Sequence, residues 1–477
     1  MHMASCNEEE GVFCRNYLVL KPQEASFFDV LRFLIFSSDV SAKRRAVYFP
    51  EDEEGPWAFK RRWIIFISLL LQKILLLTKD RLARVGYLLE TWLNLLSING
   101  GVLGLLRNIL KGKVQKPDPD SALFRSSVGF TDGRVDLDSH ITREDPKYKP
   151  SLSMMAAKLA YENGAFVRSV ITQHWKMECL GHYSFWNDSQ QEPTTGATVV
   201  RDGNLIIVAF RGTRPFQADD WRVDVDISWY EIDGVGNAHK GFMNALGVQM
   251  GDGGRPNQIR SSNDGRQYAY YELRDLLKEW LTDSNGEGEE KRKFIVTGHS
   301  LGAALAILFA SVLAIQDEES LLSRLEGVYT YAQPRVGDEQ FGKYVMQKFK
   351  PYGVDYNYKR FVYANDIVPR VPFDDKVLMF KHFGACHFFT SWFYRGMVLE
   401  EEPNKNYFSL LWVIPKILNA VWEFVRSFIL PCIEGPNYRE TFVLKSLRLM
   451  GIFTVPGIPA HSPQDYVNLT RLGDIIA

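Results

Sequence analysis

Hydrophobic positions along the C-terminal two thirds of the chain follow two different periods. Residues 294–297 form a short apolar run typical of a buried strand, and Leu301, Leu305, Leu308 and Phe309 then recur at helical spacing. The polar sequence GHSLG lies between the two patterns. The pattern therefore predicts a strand that passes through a tight turn into a helix.

The same alternation recurs on both sides of this unit. SLSMMAAKLAYEN predicts an amphipathic helix from Ser151, and ATVVRDGNLIIVAFRGT predicts a hairpin that turns at Asp202, Gly203 and Asn204. GVYTYAQPRVGD and KRFVYANDIVPRVP each predict a strand that ends in a polar loop. Strands alternating with helices predict an α/β fold with a mostly parallel central sheet, whose active site lies at the carboxyl ends of the strands.

The N-terminal part has a different, strongly apolar pattern. IIFISLLLQKILLLT is interrupted by Gln72 and Lys73, and residues 87–106 contain Glu90 and a Gly-Gly pair. Neither stretch supplies the roughly 20 apolar residues typical of a spanning helix. We expect residues 1–120 to form a helical, lipid-surface-associating region. The alternative is a helical subdomain packed on the rest of the protein.

Composition shifts suggest the domain boundaries. KGKVQKPDPDSA, residues 111–122, has the Pro, Asp and Lys content typical of a linker. We expect a linker at 121–150 and one domain over 151–477. This domain contains a hydrophobic insert at about 400–435.

The insert contains PKILNAVWEFVRSFILP, which predicts a helix framed by Pro415 and Pro431. Its polar residues fall within an arc of about 100°; they are Lys416, Asn419, Glu423, Arg426 and Ser427. We expect this helix to lie at a lipid interface with Trp422 and Phe428 in the acyl region. The alternative is a helix buried on most sides with its charges at an opening.

Charge and cysteine usage restrict the partners and the compartment. With 57 acidic and 56 basic side chains the net charge is −1, which gives no footprint for nucleic acid. The five cysteines are dispersed, without metal-ligand spacing, as in free thiols of a reducing compartment. The first residues, MHMASCNEEEGVF, lack the apolar core of a signal peptide. We therefore expect a protein that is not secreted.

The serine of GHSLG, Ser300, is the candidate nucleophile. Gly-x-Ser-x-Gly can be a capped turn, but its position between a strand and a helix favours a nucleophile elbow. The backbone N–H of Leu301 would then stabilise an oxyanion, with Thr213 at the end of LIIVAFRGT as the second donor. The alternative for that stretch is a plain strand end with Arg211 in a surface salt bridge.

The partner acid is expected between the serine and the base along the chain. Asp366 follows the strand pattern KRFVYAN and is the preferred residue. Asp338, also near a strand end, is the second candidate.

The candidate base is His461, which lies in the Pro-rich segment IPAHSPQDYVN. His382 and His387 flank FGAC in an aromatic segment, where packed neutral rings are expected. His299 is expected to pack beside the elbow strand.

Together these motifs resemble one known family. GHSLGAALA, VAFRGT, HKGF, YAQPRVGD and NDIVPRVP stand in the order of the class 3 lipases, the fungal-type triacylglycerol lipases. FFDVLRFLIF and the long insert before His461 are similar to the plant oil-body lipases within that family. The resemblance implies an α/β-hydrolase fold, a triad of Ser300, Asp366 and His461, oxyanion support from Thr213 and Leu301, and no metal or organic cofactor.

The resemblance also implies a mobile lid within RPFQADDWRVDVDISWYEI, with Phe216, Trp221 and Trp229 on it. Ala303 stands where family members usually carry glycine, which would alter the room for an acyl chain. We expect a serine hydrolase of triacylglycerols at the cytosolic face of a lipid droplet or membrane. The alternatives are a phospholipase A1, a mono- or diacylglycerol lipase, and a droplet-coating protein with an idle hydrolase fold.

Overall fold

The computed structural model describes residues 17–36, 40–48, 59–251, 254–259, 265–282, 291–374, 378–392, 394–435 and 438–474. The segment MHMASCNEEEGVF, whose composition predicts a protein that is not secreted, lies outside these residues. The strands are β1 (Tyr17–Leu20), β2 (Val47–Tyr48), β3 (Glu178–Asn187), β4 (Glu192–Asp202), β5 (Leu205–Phe210), β6 (Trp229–Ile232), β7 (Gly236–His239), β8 (Lys293–His299), β9 (Leu325–Tyr331), β10 (Tyr358–Tyr363), β11 (Ala385–Phe389) and β12 (Gly396–Leu399).

The helices alternate with these strands from residue 148 onward and dominate the chain before it. They are α1 (Phe27–Ile35), α2 (Val40–Ala46), α3 (Phe59–Ile98), α4 (Gly101–Leu110), α5 (Tyr148–Leu159), α6 (Gly164–Ser169), α7 (Ala218–Val225), α8 (Lys240–Leu246), α9 (Ala269–Thr282), α10 (Leu301–Ile315), α11 (Glu319–Leu322), α12 (Glu339–Phe349), α13 (Val354–Asn357), α14 (Val413–Ile433), α15 (Phe442–Phe453) and α16 (Pro463–Leu472).

A sheet of eight strands in the order β12-β11-β10-β9-β8-β5-β4-β3 forms the centre of the molecule. The run from β11 to β5 is parallel, and antiparallel pairs close both edges. The predicted hairpin is present, with Asp202 opposite Leu205. This is the mostly parallel α/β-hydrolase sheet that the sequence predicts.

Helices cover both faces of the sheet. On one face α10 is buried along its whole length, as its apolar sequence requires, and the ring of Phe309 lies 5.9 Å from that of Phe210 in β5. On the other face α5 and α16 pack with residues such as Ala156 and Leu469. The sheet is therefore buried on both sides, and its functional groups can emerge only at its edges.

The N-terminal residues share a core with the rest of the chain. Strand β1 pairs with β6, so that Leu18 lies opposite Trp229 in a second sheet of order β2-β1-β6-β7. Leu69 of α3 is fully buried in a cluster that also contains Ile227 and Phe380. The region before residue 120 thus contains strands as well as helices, and it completes the core rather than standing beside it.

The expected linker is tied to the core. Ser126 N–H donates to Glu162 Oε2 at 2.7 Å, and Arg125 N–H donates to Asn94 Oδ1 at 2.9 Å. Of the cysteines in the described ranges, Cys179, Cys386 and Cys432 are free thiols. None of the helices described here has a stretch both long and apolar enough to cross a bilayer.

Helix α14 differs from its prediction in two ways. It continues past Pro431 to Ile433, because a proline in the last turn removes only one backbone hydrogen bond. Trp422 does not point outward: its ring lies 4.3 Å from that of Trp392, and its indole N–H donates to the Ser391 carbonyl at 3.2 Å. The charges of the helix are buried rather than at an opening. The position predicted for Trp422 and the alternative with the charges at an opening are therefore wrong, whereas Phe428 is exposed and the lipid interface stays a prediction.

Candidate active site

Ser300 lies at a sharp bend between β8 and α10. Its backbone has φ 61° and ψ −130°, a strained conformation for a residue with a side chain. A side chain at Gly298 would collide with the backbone of Gly302, and one at Gly302 would collide with the Phe210 carbonyl. Both glycines are therefore required for the bend, which raises the Ser300 hydroxyl above the end of the sheet.

The structure brings the three candidate catalytic side chains into one hydrogen-bonded chain. His461 Nε2 lies 2.8 Å from Ser300 Oγ, and His461 Nδ1 lies 2.9 and 3.0 Å from the two carboxylate oxygens of Asp366. Ser300 is 4% exposed and Asp366 is fully buried. These are the positions that a nucleophile, a general base and an orienting acid need.

Two further groups hold the Asp366 carboxylate. The Tyr466 hydroxyl donates to Oδ2 at 2.6 Å, and Val368 N–H donates to Oδ1 at 2.9 Å. Sequence reasoning missed Tyr466, although it lies five residues after His461. Its position on α16 brings its hydroxyl back to the acid.

The other candidate histidines are not part of this hydrogen-bonded chain, although the ring of His299 lies 4.7 Å from that of His461. His299 Nδ1 lies 2.9 Å from the Tyr161 hydroxyl, and burial holds the pKa of His299 well below its usual value. His382 Nε2 lies 2.6 Å from the Pro369 carbonyl, and burial also lowers its pKa strongly. His387 stacks on Phe361, and burial lowers its pKa to about 4. These rings are packed and neutral, as expected.

Asp338, the second candidate acid, is a helix cap. Its Oδ1 accepts from Phe341 N–H at 2.8 Å at the start of α12, and its Oδ2 accepts from the Asn237 amide at 2.8 Å. The structure does not place it at His461.

The loop after β5 adjoins the elbow. β5 pairs in parallel with β8, so that Phe210 lies opposite Gly298, and a side chain at Gly212 would lie 2.5 Å from the His299 carbonyl. Leu301 is the first residue of α10, so the helix itself does not engage its N–H. Thr213 thus lies in the loop after β5 and Leu301 at the start of α10, and these two segments adjoin each other at the elbow.

A carboxylate on α7 fixes the Thr213 side chain. The Thr213 hydroxyl donates to Asp224 Oδ2 at 2.6 Å. Burial raises the pKa of Asp224 to about 7, while the bond from Thr213 opposes the rise. Asp224 was missed because a VDVD sequence gives no sign of which aspartate turns inward. Arg211 donates to the Thr194 carbonyl and forms no surface salt bridge among the contacts described.

The three predicted lid residues do not share one flap. Phe216 packs against Gly86 of α3, and Trp221 donates to the Pro215 carbonyl at 2.9 Å. Trp229 lies in β6, with β1 on one side and β7 on the other. Paired strands therefore fix Trp229, whereas Phe216 and Trp221 lie in the segment before them.

Metal ligands are not grouped in the part of the chain that the structure describes: no three His, Cys, Asp or Glu side chains could hold an ion there.

The elbow, the sheet and the hydrogen-bonded Ser, His and Asp side chains define an α/β-hydrolase with a serine at the nucleophile position.

Comparisons with known proteins extend this assignment. A family model described as Lipase (class 3) matches residues 207–376. The chain is 39% identical to the triacylglycerol lipase OBL1 of Nicotiana tabacum, with 88% of this chain and 85% of that protein covered. It is 37% identical to the triacylglycerol lipase OBL1 of Arabidopsis thaliana, with 96% and 95% covered. The solved triacylglyceride lipase of Rhizomucor miehei is 25% identical, covering 51% of this chain and 78% of that chain, with a TM-score of 0.37. The chain belongs to the class 3 lipase family.

Proposed function

We propose that this chain hydrolyses the carboxylic esters of triacylglycerols at the cytosolic face of a lipid droplet or membrane, and that Ser300 is its nucleophile. The observation that carries the proposal is the hydrogen-bonded chain from Ser300 Oγ through His461 to Asp366. The similarity to triacylglycerol lipases over most of the chain supports the substrate class.

The geometry supports the following steps. His461 Nε2 takes the Ser300 proton as Oγ attacks the ester carbonyl, and it then returns that proton to the leaving glycerol oxygen. Asp366 holds the imidazolium, with Tyr466 fixing the carboxylate. The N–H groups of Leu301 and Thr213 stabilise the oxyanion. Water then attacks the acyl-enzyme, with His461 again as the base, and releases the fatty acid.

Residues 214–225 act as the lid, and α3 holds it closed. Lys79 Nζ lies 2.6 Å from Asp219 Oδ2, and the Ser68 hydroxyl donates to the Val225 carbonyl at 2.6 Å. Phe216 rests against α3 at Gly86. Since Ser300 is almost inaccessible while these contacts exist, substrate entry requires that α7 leave α3.

Exposed apolar side chains on the N-terminal helices support association with a lipid surface. They are Phe28, Ile35, Leu77, Leu88, Trp92, Leu103 and Leu110. Such a concentration on one region is typical of an interaction site.

The test compares emulsified triolein, phosphatidylcholine vesicles and monoolein as substrates. Ser300→Ala should lose about 10⁴- to 10⁶-fold in turnover of triolein while keeping its thermal stability. Ser311→Ala, in helix α10 that follows Ser300, is the matched control and should stay active. Preferred turnover of phosphatidylcholine or monoolein would assign the chain to phospholipases or monoacylglycerol lipases, and inactivity on every ester would favour an idle droplet-coating protein.

A further inference from the structure

Helix α14 packs with its charged side inward. The Glu423 carboxylate lies 3.0 Å from Arg448 of α15, and Arg426 lies 2.8 Å from Asp465 of α16. Lys416 donates to the Tyr407 carbonyl at 2.8 Å. Since these are all the charged residues of α14, its ionic contacts anchor the helix to the protein and its outer face has no charge.

Helix α15 is arranged in a similar way, except that its second cation, Lys445, lies 4.3 Å from the centre of the Phe428 ring. Its Arg448 is buried and contacts Glu423, Glu440 and Asp465. Phe442 and Phe453, at its two ends, are 84% and 80% exposed. A soluble surface helix shows the opposite arrangement, with its apolar stripe on the core.

The outward faces of α14, α15 and the segments that flank them are therefore mainly apolar. The exposed residues are Phe408, Leu410, Leu411, Trp412, Val413, Ile414, Ile417, Leu418, Val421, Val425, Phe428, Ile429, Ile433, Phe442, Leu449, Met450, Phe453 and Ile458. The buried ion pairs hold both helices in this orientation, because rotation of either helix would leave the buried charges of the pairs without partners. This face, which we call the insert face, is a fixed property of the fold.

The insert face is joined to the catalytic histidine. Asp465, which Arg426 and Arg448 hold, lies four residues after His461 in the sequence. The exposed Ile458 lies three residues before His461. At the other end of the insert, the ring of Phe408 lies 5.7 Å from Phe373, which packs on the N-terminal core. The insert face thus flanks the catalytic site.

We propose that the insert face enters the acyl layer of the lipid substrate and places the mouth of the active site against it; this inference rests on the proposed function. A protein partner is a poorer fit, because protein interfaces have a polar rim and α14 exposes no charge. A second copy of the chain would cover the side of the molecule on which His461 lies, where substrate must enter. A lipid surface matches a wide, mainly apolar face and leaves the substrate in place.

Two double variants test this role. Ile414→Ser with Leu418→Ser changes α14, and Phe442→Ser with Phe453→Ser changes α15. Each should lower the affinity for phosphatidylcholine-coated triolein droplets, measured by flotation, by about tenfold or more. Full burial of one such side chain raises the affinity by about tenfold. Triolein turnover should fall in parallel, while hydrolysis of a soluble butyrate ester and thermal stability stay unchanged.

The matched control is Ile259→Ser with Tyr356→Ser, two side chains about 80% exposed that lie outside the insert. It should float like the wild type. Unchanged flotation of both insert variants would overturn the inference. The inference would also be overturned if the wild type sediments as a dimer and the insert variants dissociate this dimer without any loss of flotation. If the insert variants lose flotation but the wild type cleaves no ester, the proposed function is wrong, whereas the binding of the insert face to lipid is supported.

Discussion

The contact between α3 and the proposed lid, residues 214–225, gives a direct prediction about access to Ser300. Lys79→Met keeps the apolar stem of the side chain and removes the charge that lies 2.6 Å from Asp219. The hydrogen bond to Asp219 raises the pKa of Lys79, so this side chain is charged at every pH of interest. The lysine is 42% exposed, so water and salt screen the pair.

The expected size follows from that exposure. An ion pair of this kind is worth about 0.5 to 1 kcal/mol, which shifts the opening equilibrium of the lid about two- to fivefold. Hydrolysis of a soluble ester without any interface should therefore rise about two- to fivefold in Lys79→Met. Raising the ionic strength should activate the wild type by a similar factor and leave the variant unchanged.

Lys343→Met serves as the control, because Lys343 forms an equally short pair with Glu339 on α12, away from the lid. It should behave like the wild type. If Lys79→Met has unchanged or lower activity on the soluble ester and keeps its response to salt, α3 does not hold the lid.

Three further predictions concern the groups around the triad. Tyr466→Phe should lower kcat about 10-fold or more, since a hydrogen bond to a charged group is worth about 1.5 to 3 kcal/mol, whereas Tyr356→Phe should have no effect. Asp366→Asn should lower kcat by about 10⁴-fold, whereas Asp338→Asn should keep the kcat of the wild type, because asparagine caps a helix about as well as aspartate; steady-state kinetics of both variants will separate the two residues. Asp224→Asn should become more stable relative to the wild type as pH rises from 5 to 7.5, by about 2 to 3 kcal/mol in urea unfolding.

The sign of the last effect comes from the raised pKa of Asp224. The unfolded chain releases this proton near pH 4 and the folded chain near pH 7, so the wild type loses stability as pH rises between these values. An asparagine has no proton to release. Parallel stability curves for the two proteins would contradict this account. Equal kcat for Tyr466→Phe and wild type, or equal losses in Asp366→Asn and Asp338→Asn, would contradict the roles of those residues.

The elbow, the mostly parallel sheet and the histidine could be predicted because their signals lie in short stretches or in the order of the motifs along the chain. A strand, two glycines around a serine and a helix occupy one short stretch, and the positions of Asp366 and His461 follow from chain order on this sheet. The packing of β1 on β6 could not be predicted, because more than 200 residues separate the paired positions, such as Leu18 and Trp229.

The insert shows where sequence reasoning stops. The polar arc of α14 was visible in the sequence, but its direction depends on Arg448 and Asp465, which lie on two other helices. A helical wheel gives the width of a polar face and not the side it turns to. Asp224 and Tyr466 were missed for the same reason, since only the folded chain brings them to Thr213 and Asp366.

The central claim is that Ser300 is the nucleophile of a lipid ester hydrolase. The most direct measurement is labelling with a fluorophosphonate, followed by peptide mass spectrometry and titration of triolein turnover. The account predicts one label per chain on Ser300, loss of turnover in proportion to labelling, and labelling that His461→Ala slows strongly. A label on another residue, or triolein turnover that survives complete modification of Ser300, would contradict it.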